Sequence, residues 1–428
     1  MSGALITLFF CAAAAGIMAT WARFDAKRRL VTSYGTELRV MRSNWVKLGV
    51  ALGALLFISA PIGFSWFGYK SFHLPAKLIP GMPMGEFPLA VLNFAGIFAL
   101  GVLALNMLTG YAGQVSLGHA TFIGAGAYAA GYFGQDLELG GRHLPFLIWV
   151  LLAGVIGALI SGIVGPFALR LRGDYLAVIT VGLLIFAEHI FNAWADITGG
   201  TPGRSNLPQP VITIWKNKVM NFSTVDGEAD FFGVLYTRNQ GYFWLVWAFV
   251  AVAVILCSNI ARSRQGRAMM AVRDRDLSAE AIGVVLSQTK LKAFALCGAL
   301  AGVSGALYGS YIQSVTPEFF NLNLSIQYVA MMIVGGSGTI LGSVLGAVVV
   351  GSLDRVIDHF KWIFSRQPLK TIFFFLSADS NGRGMKIPNF VRMLYGVLIV
   401  VFLIYFPSGV TSLWTRIRRY FVRWPFRA

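Results

Sequence analysis

Charged residues are scarce in this chain of 428 residues: they make up 12% of it, about half the share found in ordinary soluble domains. Hydrophobic residues make up 56%, and long uncharged apolar runs recur along the whole length. These runs are continuous and do not alternate at every second residue, which excludes a membrane β-barrel. The composition therefore predicts an all-α protein built as a polytopic transmembrane helical bundle.

Cysteine is also scarce. The chain has 3 cysteines, Cys11, Cys257 and Cys297, and each of them lies within an apolar run. An odd number of cysteines at such positions indicates neither a disulfide framework nor a metal site. His119 likewise has no second His or Cys at the spacing of metal ligands, so no metal site is predicted.

Several catalytic motifs are absent from the sequence. The chain contains no Gly-Lys dipeptide and therefore no GxxxxGK[ST] loop, which excludes ATP hydrolysis by a P-loop of its own. It also contains neither HExxH nor GxSxG, which argues against the common membrane proteases. No catalytic residue is predicted, and we expect that the chain is not an enzyme.

Positive charge is concentrated between and after the apolar runs, and the net charge is +17. In membrane proteins such residues mark the cytoplasmic side. Alternation from the basic loop 23–47 places 262–290 and the basic tail inside, and 196–241 outside. The ten or eleven predicted membrane segments have candidate bounds at residues 4–22, 48–67, 88–109, 115–134, 145–169, 175–195, 242–261, 291–313, 317–335, 339–352 and 390–407.

Three regions are predicted along the chain. Residues 1–87 hold N-terminal helices with a basic loop, 88–409 form the main transmembrane domain, and 410–428 form a basic tail. The longest polar connection, 196–241, is rich in Gly and Pro. A connection of this length usually carries function or lacks order. Two interpretations stay open: a docking surface for an external partner and a solvated connector.

The basic stretch 262–290, RSRQGRAMMAVRDRDLSAEAIGVVLSQTK, lies between two apolar runs. It resembles the coupling segment that the membrane subunit of an ABC transporter presents to a separate ATPase. A segment of this kind offers a short amphipathic helix to a groove in its partner. An ordinary positive loop would need the arginines but not the Glu-Ala-x-Gly order. The residues expected to couple to the ATPase are Gly266, Arg267, Arg273, Ala279, Glu280, Ala281 and Gly283.

Three further stretches extend the resemblance. They read LALNMLTGYAGQVSLGHATFIGAGAYAAGYF at 103–133, LRLRGDYLAVITVGLLIFAEHIFNAWADITGGTPG at 169–203 and SIQYVAMMIVGGSGTILGSVLGA at 325–347. With the coupling segment, they resemble the larger membrane subunit of the branched-chain amino-acid ABC importers. Thr201 and Pro202 depart from the family pattern, in which Ser or Asn and then Gly usually follow the Thr-Gly-Gly turn.

Polar side chains at membrane depth face either a protein interior or a watery path. Gln114, Ser116 and His119 follow a break bracketed by glycines, and we expect them to enter the next helix within about two turns. They either line a translocation pathway or only hydrogen-bond to neighbouring helices. The candidate pathway residues are Gln114, Ser116, His119, Tyr128, Thr180 and Glu188.

Glu188 is the deepest carboxylate predicted in the chain. A buried acid is costly unless it is paired. We favour a structural ion pair over a position near the outer interface or a contact with a substrate ammonium.

Glycines mark two further features. Gly335, Gly336 and Gly338 interrupt an apolar run, and non-helical backbone at this depth requires protein or a cavity to satisfy it. In the segment 291–313, glycines at i and i+4 predict a nearly bare helix face that packs close to a neighbour. The glycines of this face are Gly298, Gly302, Gly305 and Gly309.

The resemblance implies the permease subunit of an ATP-driven ABC importer that moves branched-chain or related amino acids across the bacterial inner membrane. The implied partners are a second similar permease, two cytoplasmic ATPases and an external substrate-binding protein, besides the lipid bilayer; no nucleic acid is expected. ATP and Mg²⁺ would bind the ATPases, and no cofactor is expected here. The alternatives are import of urea or short amides by the same family, an ion-coupled secondary transporter or channel, and a membrane-embedded enzyme.

Overall fold

A computed structural model describes residues 87–137, 144–170, 174–214, 217–221, 228–231, 234–353, 355, 357, 376–377, 385–405 and 409–410. The predicted segments 4–22 and 48–67 lie outside the described residues, as does the tail 410–428 beyond its first residue. The chain divides into two compact units, Met1–Leu89 and Ala90–Ala428. Apart from the first residues of the first helix, the described elements belong to the second unit.

The second unit is a helical bundle, and each apolar run predicted from residue 88 onward contains a helix. The helices are α1 (Phe87–Leu105), α2 (His119–Gly131), α3 (Phe146–Arg170), α4 (Asp174–Ala193), α5 (Ala195–Thr198), α6 (Arg238–Arg262), α7 (Arg264–Asp274), α8 (Asp276–Ala281), α9 (Leu286–Ile312), α10 (Leu322–Gly335), α11 (Ile340–Gly351) and α12 (Ile387–Tyr405). Two π-helical stretches, Asn106–Tyr111 and Tyr132–Asp136, continue α1 and α2, and a 3₁₀ turn spans Pro317–Phe319.

Five stretches among the described residues are long and apolar enough to cross a membrane. They are Leu89–Tyr111, Phe146–Pro166, Tyr175–Ala193, Arg238–Arg262 and Leu286–Ile312. The helices α10 and α11, of 14 and 12 residues, are shorter. At a rise of ~1.5 Å per residue each falls short of the ~30 Å hydrocarbon core. The two follow one another around the predicted glycine break and pack against each other.

Helix α9 lies at the centre of the bundle and packs against α2 and α3 through its glycines. A side chain at Gly298 would meet the carbonyl oxygen of Gly157, and one at Gly302 would meet that of Ala153. On the other flank, Gly305 lies against the carbonyl of Ile123 in α2. The predicted close packing of this glycine face is therefore confirmed, and it brings the backbones of three helices together.

The long connection 196–241 contains a sheet that the sequence did not predict. Strands β2 (Val211–Ile214), β3 (Asn217–Asn221), β4 (Glu228–Phe231) and β5 (Val234–Thr237) form an antiparallel meander in that order. Before it, β1 (Arg204–Ser205) pairs antiparallel with β6 (Ser314–Val315), which follows α9. The last short strands, β7 (Leu376–Ser377) and β8 (Met385–Lys386), pair in parallel.

Contacts between the connections group them at one end of the bundle. The Arg204 guanidinium pairs with Asp136 at the end of the second π-helix. Arg238, at the start of α6, donates to the carbonyl of Tyr311 at 2.7 Å. Together with the β1–β6 pair, these contacts join connections that the alternation of basic segments places on a single side. The connections predicted for the other side meet at the opposite end, as described next.

Candidate functional site

The first component of the site is the break between α1 and α2. The π-helix Asn106–Tyr111 ends α1, and the chain then runs without helix until His119. The Thr109 hydroxyl donates to the Gln114 carbonyl at 2.9 Å, and the Gln114 N–H donates to the Leu108 carbonyl at 3.1 Å. These bonds hold residues 112–114 against the last turn of the π-helix.

The start of α2 differs from the prediction, which began this segment at residue 115. The helix begins only at His119, so Gln114 and Ser116 lie in the extended connection and not on a helical turn. The physical reason is that Thr180, on α4, accepts the Leu117 N–H at 3.0 Å. That bond engages the chain with α4 before the helix starts.

Asn106 connects this first break to the second break, between α10 and α11. Its side chain is fully buried. Its Oδ1 accepts the Gly338 N–H at 2.7 Å, and its Nδ2 donates to the Thr339 carbonyl at 3.1 Å. The amide thus satisfies two backbone groups that the interrupted helix leaves open, as non-helical backbone at depth requires.

Arg273, from the coupling segment, reaches both breaks. Its Nη1 donates to the Gly110 carbonyl, at the end of the π-helix. Its Cβ and Cγ lie against Gly113, where an added Cβ would lie 2.9 Å from Cγ. An added Cβ at Gly338 would likewise lie 2.9 Å from the Arg273 Nη1. Gly113 and Gly338 have positive φ angles, +69° and +77°. Both positions therefore require glycine for two reasons: the left-handed backbone conformation and the lack of room for a side chain.

The C-terminal part of the described chain completes this arrangement. Gly409 lies directly against the backbone of Gly335 and Gly336. Four separate parts of the chain therefore meet at one end of the bundle, and three of them lie in stretches that carry the family resemblance. We call this site the glycine junction, and its members are Asn106, Gly110, Gly113, Arg273, Gly335, Gly336, Gly338 and Gly409.

The coupling segment itself consists of α7 and α8, joined at Arg275. Among the predicted coupling residues, Gly266 is buried against the end of α6 and Ala279 is 1% exposed, so both hold the segment together. Arg267, Glu280, Ala281 and Gly283 are exposed, and Arg267 donates to the Arg262 carbonyl at 2.9 Å.

Exposed apolar side chains on the coupling segment were not predicted as contact residues. Leu277 is 70% exposed, Ile282 is 75% exposed and Val285 is 54% exposed. Beside them lies a groove of about 450 Å³ whose polar lining includes Asp276, Glu280 and Lys290. Lys290 and Asp276 form an ion pair at 3.0 Å. The sequence signal for these apolar side chains was their occurrence within a stretch that is otherwise polar.

Two predicted pathway residues follow Gly113, which Arg273 contacts. Gln114 is 5% exposed and Ser116 is 1% exposed. Neither the Gln114 side-chain amide nor the Ser116 hydroxyl has a hydrogen-bond partner among the described residues. A buried polar group without a partner destabilises the fold by ~1–3 kcal/mol. The Tyr128 hydroxyl, farther along α2, is also buried without a hydrogen-bond partner among the described residues, and the Tyr128 ring packs against Phe191.

His119 and Thr180 make the contacts of packed helices. The His119 ring is fully buried, with Nε2 at 2.9 Å from the Gly101 carbonyl and an edge contact to Tyr328. Thr180 is also fully buried and donates to the Ala177 carbonyl at 2.8 Å while accepting from Leu117. No three His, Cys, Asp or Glu side chains lie together as a metal site among the described residues.

Comparison with known proteins identifies the family. A family model described as "Branched-chain amino acid transport system / permease component" matches residues 87–403. The chain belongs to this family. Its permeases are multi-pass helical membrane proteins, and this permease is accordingly one of the bacterial inner membrane.

Individual relatives agree with the family match. The permease is 28% identical over 315 residues to the high-affinity branched-chain amino acid transport permease LivM of Salmonella typhimurium, covering 72% of this chain and 66% of the relative. It is 27% identical to LivM of Escherichia coli, with the same coverage. A probable LivM of Methanocaldococcus jannaschii is 22% identical, covering 75% of this chain and 92% of the relative. The chain thus spans just under two thirds of the first two relatives. No solved structure matches it.

The structural ion pair favoured for Glu188 stays a prediction. Glu188 is half-buried on α4, and no ion-pair partner for its carboxylate lies within the described part of the permease. Only its backbone carbonyl is engaged, by the Asn192 side chain at 2.9 Å.

Proposed function

We propose that this chain is a permease subunit of an ATP-driven ABC importer that moves branched-chain or related amino acids across the inner membrane. The observation that carries the proposal is the contact of Arg273 with both helix breaks. Through it, a segment suited to a cytoplasmic ATPase is physically joined to the backbone around the predicted pathway. The names of the matched relatives support branched-chain amino acids as the substrate class.

The ATPases dock, in this proposal, on the exposed side of α7 and α8. Leu277 and Ile282 supply apolar anchors, and Glu280 lies beside them at the groove. Two ATPases bind ATP and Mg²⁺, because this chain has no phosphate-binding loop. The movement of the ATPases then reaches the helices through direct contacts: the hydrogen bond of Arg273 and the close backbone packing at the glycine junction.

Two other surfaces suit the remaining partners. Helix α3 carries an exposed apolar stripe at i, i+4 spacing, which suits a second permease or lipid. The four-stranded sheet at the opposite end suits an external substrate-binding protein, since it stands beyond the membrane segments. The stripe consists of Leu147, Leu151, Val155, Leu159 and Ile163.

The mechanism we propose is alternating access. ATP binding closes the two ATPases on each other, and the coupling segments of the permeases move with them. The glycine junction passes this movement to α1, α2, α10 and α11, which rearrange around the pathway. Gln114 and Ser116 face the path in one state, while His119 and Thr180 fix neighbouring helices. The binding protein selects the substrate.

The test of this function is ATP-dependent uptake by the assembled complex. The tagged chain is purified with its partners from its own membrane and reconstituted with the binding protein and radiolabelled leucine. We expect uptake that requires ATP and is reduced by excess isoleucine or valine. The double variant Leu277→Glu/Ile282→Glu should lose the co-purified ATPase, whereas Thr201→Glu, at an exposed site in the long connection, should retain it.

Other results would contradict the proposal. Uptake driven by a proton or sodium gradient without ATP would indicate a secondary transporter. Competition by urea or acetamide but not by isoleucine would assign a different substrate within the same family. Normal ATPase retention by the double variant would remove the apolar anchors from the docking surface.

A further inference from the structure

Arg273 occupies an unusual position for a residue of a docking segment. It lies in the last turn of α7, and its side chain turns away from the exposed anchors toward the Gly110 carbonyl. That carbonyl belongs to the end of a helix, where unpaired carbonyls carry partial negative charge. No carboxylate pairs with Arg273 in the described part of the chain. Its bond is therefore to backbone at the helix break.

The geometry of this contact involves both breaks at once. The aliphatic part of Arg273 lies against one side of Gly113, which stays exposed, and its Nη1 lies beside both Gly110 and Gly338. The Asn106 side chain accepts the Gly338 N–H. Moving Arg273 away would remove its share of the contact between the two breaks and leave them joined by the Asn106 bonds to Gly338 and Thr339.

Two polar side chains that follow Gly113 lack hydrogen-bond partners in the described part of the chain. The Gln114 amide and the Ser116 hydroxyl are both more than nine-tenths buried and lack partners among the described residues. Opening this end of the bundle would give them water or a polar substrate as a partner. The two buried polar groups without partners thus destabilise the closed arrangement, and the Arg273 hydrogen bond stabilises it.

We propose that Arg273 is a latch that holds the two helix breaks closed over Gln114 and Ser116, and that movement of the coupling segment releases it. Arg273 is a positioning residue in this scheme, since it acts through backbone and not on substrate. The inference rests on the proposed function for the release step. The closed state of the latch is a property of this chain alone.

The experiment measures the accessibility of position 114 in the assembled complex without ATP. Gln114→Cys is placed in a chain in which Cys11, Cys257 and Cys297 are replaced, and its rate of reaction with a small water-soluble maleimide is recorded. We expect Arg273→Ala to raise that rate about tenfold, as loss of a charged hydrogen bond shifts a closed–open equilibrium. Arg273→Lys keeps the positive charge but loses the planar guanidinium with its several N–H donors. It should raise the reaction rate by less than Arg273→Ala does.

Controls separate the latch from a general loss of charge or of fold. Arg275→Ala removes a neighbouring exposed arginine that does not contact the breaks among the described residues and should leave the rate unchanged. Gly338→Ala places a methyl group 2.9 Å from the Arg273 Nη1 and should raise the rate as Arg273→Ala does. Gly200→Ala imposes a similar positive-φ strain, at +69°, with only ordinary contacts and should not.

The outcomes are distinct. An unchanged rate in both Arg273→Ala and Gly338→Ala would overturn the latch, as would an equal increase in Arg275→Ala. If the Arg273→Ala complex does not assemble, the rates of Gly338→Ala and Arg273→Lys are used instead. Unchanged rates in both of these variants would then overturn the latch. Absence of any ATPase from the parental complex would contradict the proposed function instead, while the resting rates would still report on the latch.

Discussion

At the scale of single residues, Arg273 and Asn106 make the contacts that join the two helix breaks. Arg273 was assigned to ATPase coupling, but its backbone partner lies 163 residues away. Asn106 received no role, although an amide inside an apolar run has to find partners. Its partners lie 232 and 233 residues away. Contacts over such distances depend on the packed helices and not on any local pattern.

Thr180 provides a residue-scale test of pathway against packing. Thr180→Val preserves the shape of the side chain but leaves the Leu117 N–H without its acceptor. We expect a loss of about 1 kcal/mol in stability, the usual cost of an unsatisfied donor in a partly buried site. Thr180→Ser should remain close to the parent. The measurement is thermal unfolding of the purified complex together with uptake per assembled complex.

The two quantities separate the interpretations of Thr180. A packing role predicts lower unfolding temperature and abundance but normal uptake per complex. Lost uptake at unchanged stability in Thr180→Val would return this residue to the translocation pathway.

At the scale of elements, the helices from residue 88 onward were predictable because each must be apolar along most of its length. The start of α2 was misplaced because its N-cap is Gly118, which has no side chain to give a capping signal, and because the Leu117 N–H bonds to Thr180 on another helix. The sheet in 196–241 was missed because its strands have only 4 or 5 residues. Runs that short give no reliable period.

The glycine face of α9 gives the element-scale prediction. Gly302→Val would force a side chain into the carbonyl of Ala153 and the backbone of Gly154. Overpacking of this kind costs ~1–3 kcal/mol or more, and here both neighbours are backbone that cannot change rotamer. We expect most of the variant to be lost from the membrane or to aggregate. Fluorescence-detected size exclusion of the solubilised protein measures the surviving monodisperse fraction.

A matched substitution isolates the packing effect. Gly182→Val introduces the same β-branched side chain into another membrane helix, where no atom lies within 4 Å of the new Cβ. It should keep a near-parental fraction. Similar losses in both variants would show that helix propensity, and not the contact between α9 and α3, explains the result.

At the scale of the whole molecule, contacts sort the connections into two sets at opposite ends. The coupling segment, the two helix breaks and Gly409 meet at the glycine junction. The connection after α2, the start of the long connection and the residues after α9 meet at the other end. The alternation of basic segments gives the same two sets. The contacts therefore group the connections into two ends without any use of charge. Which end faces the cytoplasm is assigned only from the positive residues.

The orientation is the last prediction. Single cysteines at Thr201 and Ser278, both exposed positions, are introduced into a chain lacking Cys11, Cys257 and Cys297. Because the basic segments belong in the cytoplasm, an impermeant thiol reagent should label Thr201→Cys on intact cells. It should label Ser278→Cys only after permeabilisation. Labelling of Ser278→Cys alone on intact cells would invert the whole arrangement. It would also place the glycine junction outside, out of reach of any cytoplasmic ATPase.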